Sequence, residues 1–288
     1  MSNTPSWLRY SEPVESNVER ALTWFEVLGY TALLQSDIIS GYHQAVLQNY
    51  RDGILGDRFC QAMQRINPTA SPQQIEAILH QLTTSHSAPT MQQNYQWHRQ
   101  LLHGISIECS GTHPNRLPTL RLIDFFNPLN NDWLVIHSFP VIEADEQHCL
   151  DLVVFINGLP LAVFQGLHRG NEAWSFRAAY FQLQKYKAHL PKFFSFNELL
   201  VLSNGDQSRI GTLTTRWKQF IPIRSTNGEN APFAGETEVE TLIQAIFDRR
   251  RFFEIIQHFI VFHQNPTMLT KRICPHSFCT IPDPVSRS

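Results

Sequence analysis

Two apolar runs, Leu152 to Ile156 and Leu159 to Phe164, flank the dipeptide Asn157-Gly158. Asn-Gly accepts the positive φ values that a tight turn between twisted strands demands, so the pair predicts a β-hairpin. The hairpin brings Asp151 near the open end of one strand and Gln165 to Leu167 near the open end of its partner. Their facing depends on the turn. A two-residue turn puts Asp151 and Gln165 on opposite faces. A three-residue loop with Gly158 left-handed puts Asp151, Gln165 and Leu167 on one face. The second arrangement is the one expected, because a site at the open end requires it.

The surroundings of the hairpin read as α/β. Segments 120–126, 132–139 and 198–203 share its richness in β-branched and aromatic residues, as do 150–156 and 159–165 themselves. Residues 174–188 place Phe176, Ala179, Tyr180, Leu183 and Tyr186 at helical intervals, which gives strand, strand, strand, helix, strand. Val14, Val18, Leu22, Phe25 and Leu28 predict an N-terminal helix over 13–28, stopped by Gly29. Ser71-Pro72 with Gln74 forms a capping box that opens another helix. A second capping box, Thr237 to Glu240, opens one or two helices striped by Val239, Leu242, Ile243, Ile246 and Phe247. After Val261 the chain is expected to be irregular. The expected domains are an α/β domain over 1–230, with a helical part at about 10–105 and a core-like part at about 118–225. A helical linker over 231–265 and a disordered tail over 266–288 follow.

With 42% hydrophobic and 17% charged residues the chain predicts a well-buried protein. No run of about 20 apolar residues predicts a membrane span, and Met1 to Ser6 carries no leader-like pattern. The five cysteines are scattered, so reduced thiols in a cytoplasmic setting are expected. Cys274 and Cys279 have no second pair at matching spacing and do not define a zinc site. The net charge of −2 does not announce a nucleic-acid binder, but its distribution is uneven. Residues 165–225 hold nine Lys or Arg against three acids, whereas residues 1–60 hold four Arg against seven acids. Such an imbalance focuses a field that attracts a polyanion.

The run from Leu150 to Phe164 resembles the N-terminal nuclease region of type I restriction enzyme R subunits, members of the PD-(D/E)xK nucleases. Further likenesses follow in the family's order. Asp124-Phe125-Phe126-Asn127-Pro128 with Asn131-Asp132-Trp133 is similar to the stretch before the catalytic hairpin. Gln182-x-x-x-Tyr186 resembles a Gln-x-x-x-Tyr motif, and Ser203-Asn204-Gly205 with Arg209-x-Gly211-Thr212 resembles a Ser-Asp-Gly and Arg-x-Gly-Thr turn. Glu15 stands at the acidic position of the first helix. The resemblance implies a mixed sheet flanked by helices with a helical linker after it. It also implies Mg²⁺ at Asp151, double-stranded DNA as partner, and contact with methyltransferase and specificity subunits. Gln182, Tyr186, Lys185 and Arg209 become the expected DNA-facing residues, with Gln182 near the phosphate and Tyr186 behind it.

The motif itself departs from the family. Where Glu-x-Lys is expected the chain reads Gln165-Gly166-Leu167. A hard cation prefers carboxylate oxygens, and Leu cannot polarise an attacking water as Lys does. The expectation is a degenerate nuclease that binds DNA or its complex without cutting. Two alternatives are an active Mg²⁺-dependent endonuclease with relocated groups (His168, Glu172 or Glu15) and a structural relic that contacts partner subunits only. No Gly-x-x-x-x-Gly-Lys-[Ser/Thr] loop is present, so no ATP is expected. The chain ends about fifteen residues after Lys271-Arg272-Ile273, where the family continues into helicase-like domains. That suggests an interrupted gene or a standalone product.

Overall fold

The computed structural model describes residues 12–34, 50–51, 53–84, 88–106, 119–143, 146–167, 175–204, 207–223, 238–266 and 268–274. The N-terminal half supplies α1 (Glu12–Val27), β1 (Thr31–Leu34), β2 (Tyr50–Arg51), β3 (Ile54–Leu55), α2 (Gly56–Ile66), α3 (Pro72–Thr84), α4 (Thr90–His103), β4 (Ile105–Ser106) and β5 (Thr119–Leu120). The central strands are β6 (Trp133–Glu143), β7 (Glu146–Ile156) and β8 (Leu159–Gln165), followed by α5 (Phe176–His189) and α6 (Pro191–Ser195). Then come β9 (Leu199–Ser203), β10 (Ser208–Gly211), β11 (Ile221–Pro222), α7 (Glu238–Phe247), α8 (Arg249–Glu254), β12 (Ile260–Asn265) and β13 (Met268–Ile273).

Seven strands form one mixed sheet in the order β1-β6-β7-β8-β9-β10-β11. β1 joins β6 and β8 joins β9 in parallel; the other neighbours are antiparallel. β8 lies in mid-sheet with every residue buried, which is why its sequence is apolar throughout instead of alternating. One face packs Val135, Leu152, Val154 and Phe164 against α1, α7 and α8 through Phe25, Phe247 and Phe252. The other packs Ile136, Val153 and Val163 against α5 and α6 through Leu183, Phe193 and Phe194. Each fully buried Phe of this kind contributes about 1.5–3 kcal/mol of transfer free energy.

Asn157 and Gly158 both take positive φ, +53° and +77°, so the turn has two residues and not the expected three. It is also buried. The Gly158 carbonyl accepts the Leu55 N–H at 2.9 Å, and a Cβ on Gly158 would overlap the Leu55 carbonyl oxygen. Fully buried Asn157 donates to the Leu122 carbonyl and to Asn131 Oδ1, both at 2.8 Å, while its Oδ1 accepts the Asp132 N–H at 2.7 Å. The turn is thus a clamp on the preceding loop. There the expected strand 120–126 ends at Leu120, because the Asp124 carboxylate accepts the Phe126 and Asn127 N–H groups and bends the chain.

Elsewhere the Ser71–Gln74 capping box forms reciprocally, at 2.8 and 3.2 Å. The N-terminal cap expected at Thr237 lies outside the described residues, as do positions 275–288 of the expected tail. Residues 260–265 and 268–273 correct the expectation of helical linker and irregular tail: they pair along their length as a hairpin. Thr270 and Lys271 are buried in it, so the segment is held by polar interactions that an apolar pattern does not register.

Candidate functional site

The hairpin register decides what Asp151 faces. Ile156 pairs with Leu159 and Phe155 with Pro160, but Val154 pairs with Ala162, so Leu161 is an extra residue on β8. The bulge shifts the remaining pairs by one as far as Leu152↔Phe164, and that register continued one step brings Asp151 across from Gln165. Their shared face therefore arises from a two-residue turn plus a bulge. The carbonyl that the bulge displaces is reused: Leu161 O accepts the Glu198 N–H at 2.7 Å at the entry to β9.

A second irregularity sits across from Asp151. Ser138 takes φ +54° and falls between the paired positions His137↔Leu152 and Phe139↔Leu150. Before it, Leu134 and Ile136 face the α5 side; after it, Phe139 and Val141 do. On β7 the slip is matched, since Leu150 and Val153 both face α5. Asp151 occupies the slip and turns toward the end of β8. Its Oδ2 accepts the N–H groups of Gly166 at 2.6 Å and Leu167 at 3.2 Å.

Leu167 does not join Asp151 and Gln165. Gly166 has φ +95°, and a Cβ there would overlap the Ser203 carbonyl oxygen, so only glycine passes this close to β9. The reversal sends the fully buried Leu167 side chain into the cluster on the other face, with α1 and α7. The expected common face of Asp151, Gln165 and Leu167 is thereby corrected to a pair. Asp151 is 9% exposed and Gln165 3%, and Gln165 Oε1 is buried without a hydrogen-bond partner.

Behind this pair, the Tyr186 hydroxyl donates to the Cys149 carbonyl at 3.0 Å, and the Gln182 side chain hydrogen-bonds the same hydroxyl. Burial raises the Tyr186 hydroxyl above its ordinary value, so it stays a proton donor at neutral pH. The Gln-x-x-x-Tyr pair therefore braces the β7 backbone two residues from Asp151. Lys185 is exposed on the outer side of α5, and Arg209 lies with its guanidinium 4.7 Å above the Phe176 ring. Glu15 belongs to α1, but its side chain is outside the described residues, as are His168 and Glu172. Among the described residues no group of three or more His, Cys, Asp and Glu could hold a metal ion.

The sequence reading missed a polar cluster buried at the entry to β9. Lys271 Nζ donates to Glu198 Oε2 at 2.6 Å, to the Asn197 carbonyl at 2.9 Å and to Asn94 Oδ1 at 3.0 Å. His98 Nδ1 meets the same Glu198 oxygen at 3.0 Å. No spacing rule connects positions this distant, so only the fold reveals them.

A mixed sheet flanked by helices, with an acid on the central hairpin opposite the Glu position and a bracing Gln-x-x-x-Tyr pair, defines a nuclease-like region. The family described as "Type I restriction enzyme R protein N terminus" matches residues 12–219, and the chain belongs to it. The chain is 22% identical over 208 residues to the type I restriction enzyme HindI endonuclease subunit of Haemophilus influenzae, covering 71% of this chain and 20% of that protein. It is 23% identical over 280 residues to the putative type I restriction enzyme MjaIXP endonuclease subunit of Methanocaldococcus jannaschii, covering 91% of this chain and 26% of that one. The matched stretch thus spans between a fifth and about a quarter of these relatives. No described helix is long and apolar enough to cross a membrane.

Proposed function

We propose that this chain is a nuclease-fold module of a type I restriction-modification system that engages DNA without cutting it. The observation that carries the proposal is the use made of Asp151: one carboxylate oxygen accepts two backbone N–H groups, and a neutral amide stands opposite. A hard divalent cation such as Mg²⁺ asks for several oxygen ligands and compensating negative charge. Among the described residues the donor set does not fit it. The orphaned Gln165 Oε1 supplies a single neutral oxygen, and Leu167 points into the opposite core. Loss of one catalytic group typically lowers rate by about 10²–10⁴, and two are missing.

DNA engagement is supported by the charge of the segments around α5, which are basic in a chain whose net charge is −2. Family membership adds methyltransferase and specificity subunits as proposed partners. The test is incubation of the pure protein with supercoiled plasmid and Mg²⁺ or Mn²⁺. No nicking above an Asp151→Ala control is expected. Cleavage that disappears with Asp151→Ala would overturn the proposal in favour of relocated catalytic groups.

A further inference from the structure

The outer face of α5 and the adjoining β10–β11 connection carry an unusual combination. Residues 175–190 and 207–223 together contain Arg177, Lys185, Lys187, Arg209, Arg216 and Lys218, and no Asp or Glu. Lys187 is spent on structure. Its Nζ donates to the Leu213 carbonyl at 2.7 Å, tying α5 to the loop after β10, and burial pushes it down to about 8. The others lie at or near the surface: Arg177, Lys185, Arg216 and Lys218 are exposed and Arg209 is half-buried.

Aromatic rings run between these cations. Phe181 is 53% exposed, with the Arg177 guanidinium 5.6 Å above its ring. Tyr180 stands 5.9 Å from Phe181 and 6.0 Å from Trp217, whose neighbours Arg216 and Lys218 extend the charge. Arg177, Phe181 and Lys185 follow at four-residue steps on one stripe of α5, so the two cations are about 12 Å apart along the axis with the ring between them. A stripe of cations alone suits any polyanion. An exposed flat ring set among them selects one that also offers flat faces, as unstacked nucleobases do.

Resting on the DNA-engaging reading above, we propose that this face binds single-stranded nucleic acid, with Phe181 as a stacking platform and Arg177 and Lys185 on the backbone. A duplex keeps its base faces inside the stack, so it offers this surface phosphates only. Stacking on one aromatic side chain is worth about 1–3 kcal/mol per base, which converts to roughly 5- to 150-fold in affinity.

Fluorescence anisotropy on the full chain, with a labelled single strand of about 12 nucleotides and the duplex of the same sequence, tests this. The single strand is expected to bind at least about fivefold tighter. Phe181→Ala should lose most of that preference while leaving duplex binding unchanged, and Phe181→Trp should keep it. Arg177→Ala with Lys185→Ala should weaken both ligands and lower the salt slope by about 1.4 for the single strand. Circular dichroism melting of each variant separates lost binding from lost folding. Duplex binding equal to or tighter than single-strand binding, with Phe181→Ala neutral, overturns the stacking face alone. Absence of salt-sensitive binding to either ligand overturns the DNA-engaging reading beneath it.

Discussion

Asp151 on β7 and Glu198 at the entry to β9 are both buried carboxylates, yet their described partners differ in kind. Glu198 has a cation. Lys271 meets it at 2.6 Å, His98 approaches the same oxygen, and Asn94 Oδ1 and the Asn197 carbonyl accept the other hydrogen bonds of the ammonium. Asp151 is held by backbone N–H groups of Gly166 and Leu167, and the position where the family places a cation is an aliphatic side chain facing away. The difference teaches which of the two acids is built for permanence. A fully enclosed ion pair with its remaining donors satisfied fixes geometry, and here it fixes the C-terminal hairpin to the nuclease-like core. A carboxylate whose Oδ2 caps two backbone N–H groups closes a strand end.

The comparison breaks first at Lys271. Truncation to Ala leaves Glu198 buried without its cation, and the expected loss is about 3–5 kcal/mol of unfolding free energy. Urea denaturation measures it. Pairing Lys271→Met with Glu198→Leu should recover a large part, because an apolar replacement of both partners strands no charge. If the single substitution costs no more than an ordinary surface change, the pair does not anchor the hairpin. The pH dependence has the same origin and a smaller amplitude. Burial by itself raises the Glu198 carboxyl, and the Lys271 ammonium and the His98 ring outweigh it and leave it below its ordinary value of 4.5. A depressed folded value means stabilisation that is complete above the unfolded value and lost as pH falls through the folded one. Thermal melts from pH 7 downward should therefore drop below about pH 4.5, and this drop should shrink in the Lys271→Met, Glu198→Leu protein.

Asp151→Ala comes next. Two buried N–H groups lose their acceptor, so a loss of about 1–3 kcal/mol is expected, with Asp151→Asn nearer to wild type because an oxygen remains. A purely catalytic acid in an open site predicts the reverse, since removing it relieves local repulsion. Equal or higher stability of Asp151→Ala would show that the cap contributes nothing.

How much of this contrast could be read in advance differs between the two acids. Asn157-Gly158 announced the hairpin, and the helical intervals from Phe176 to Tyr186 announced α5, because each element carries its period or its turn chemistry locally. A common face for Asp151 and Gln165 was expected from a three-residue loop, and a two-residue turn with a bulge at Leu161 stands in its place. The bulge at Leu161 leaves no mark in composition, since it sits among residues buried on either face. Where both faces are buried, alternation cannot report which way a side chain points. Lys271 was legible only as part of the Lys271-Arg272-Ile273 segment, not as an ion-pair partner. Its role depends on Glu198, 73 residues away, and on Asn94, 177 residues away.

The smallest expected effect is also the sharpest for the site. Gln165→Glu places a second carboxylate directly across the ladder from Asp151, and like charges in that relation cost about 1 kcal/mol. Without divalent cations the variant should melt slightly below the parent. Addition of Mg²⁺ should then raise its melting temperature, because a ligand that binds only the folded state stabilises it by mass action, while the parent responds little. Cleavage is not expected to return, since Leu167 points into the α1 and α7 cluster and the backbone reversal at Gly166 leaves no route for a lysine from that position to reach the pair. A parent protein that Mg²⁺ stabilises as much as the variant would mean that Asp151 and the orphaned amide oxygen already hold the ion. The distinction drawn between Asp151 and Glu198 would then fail at its weaker side.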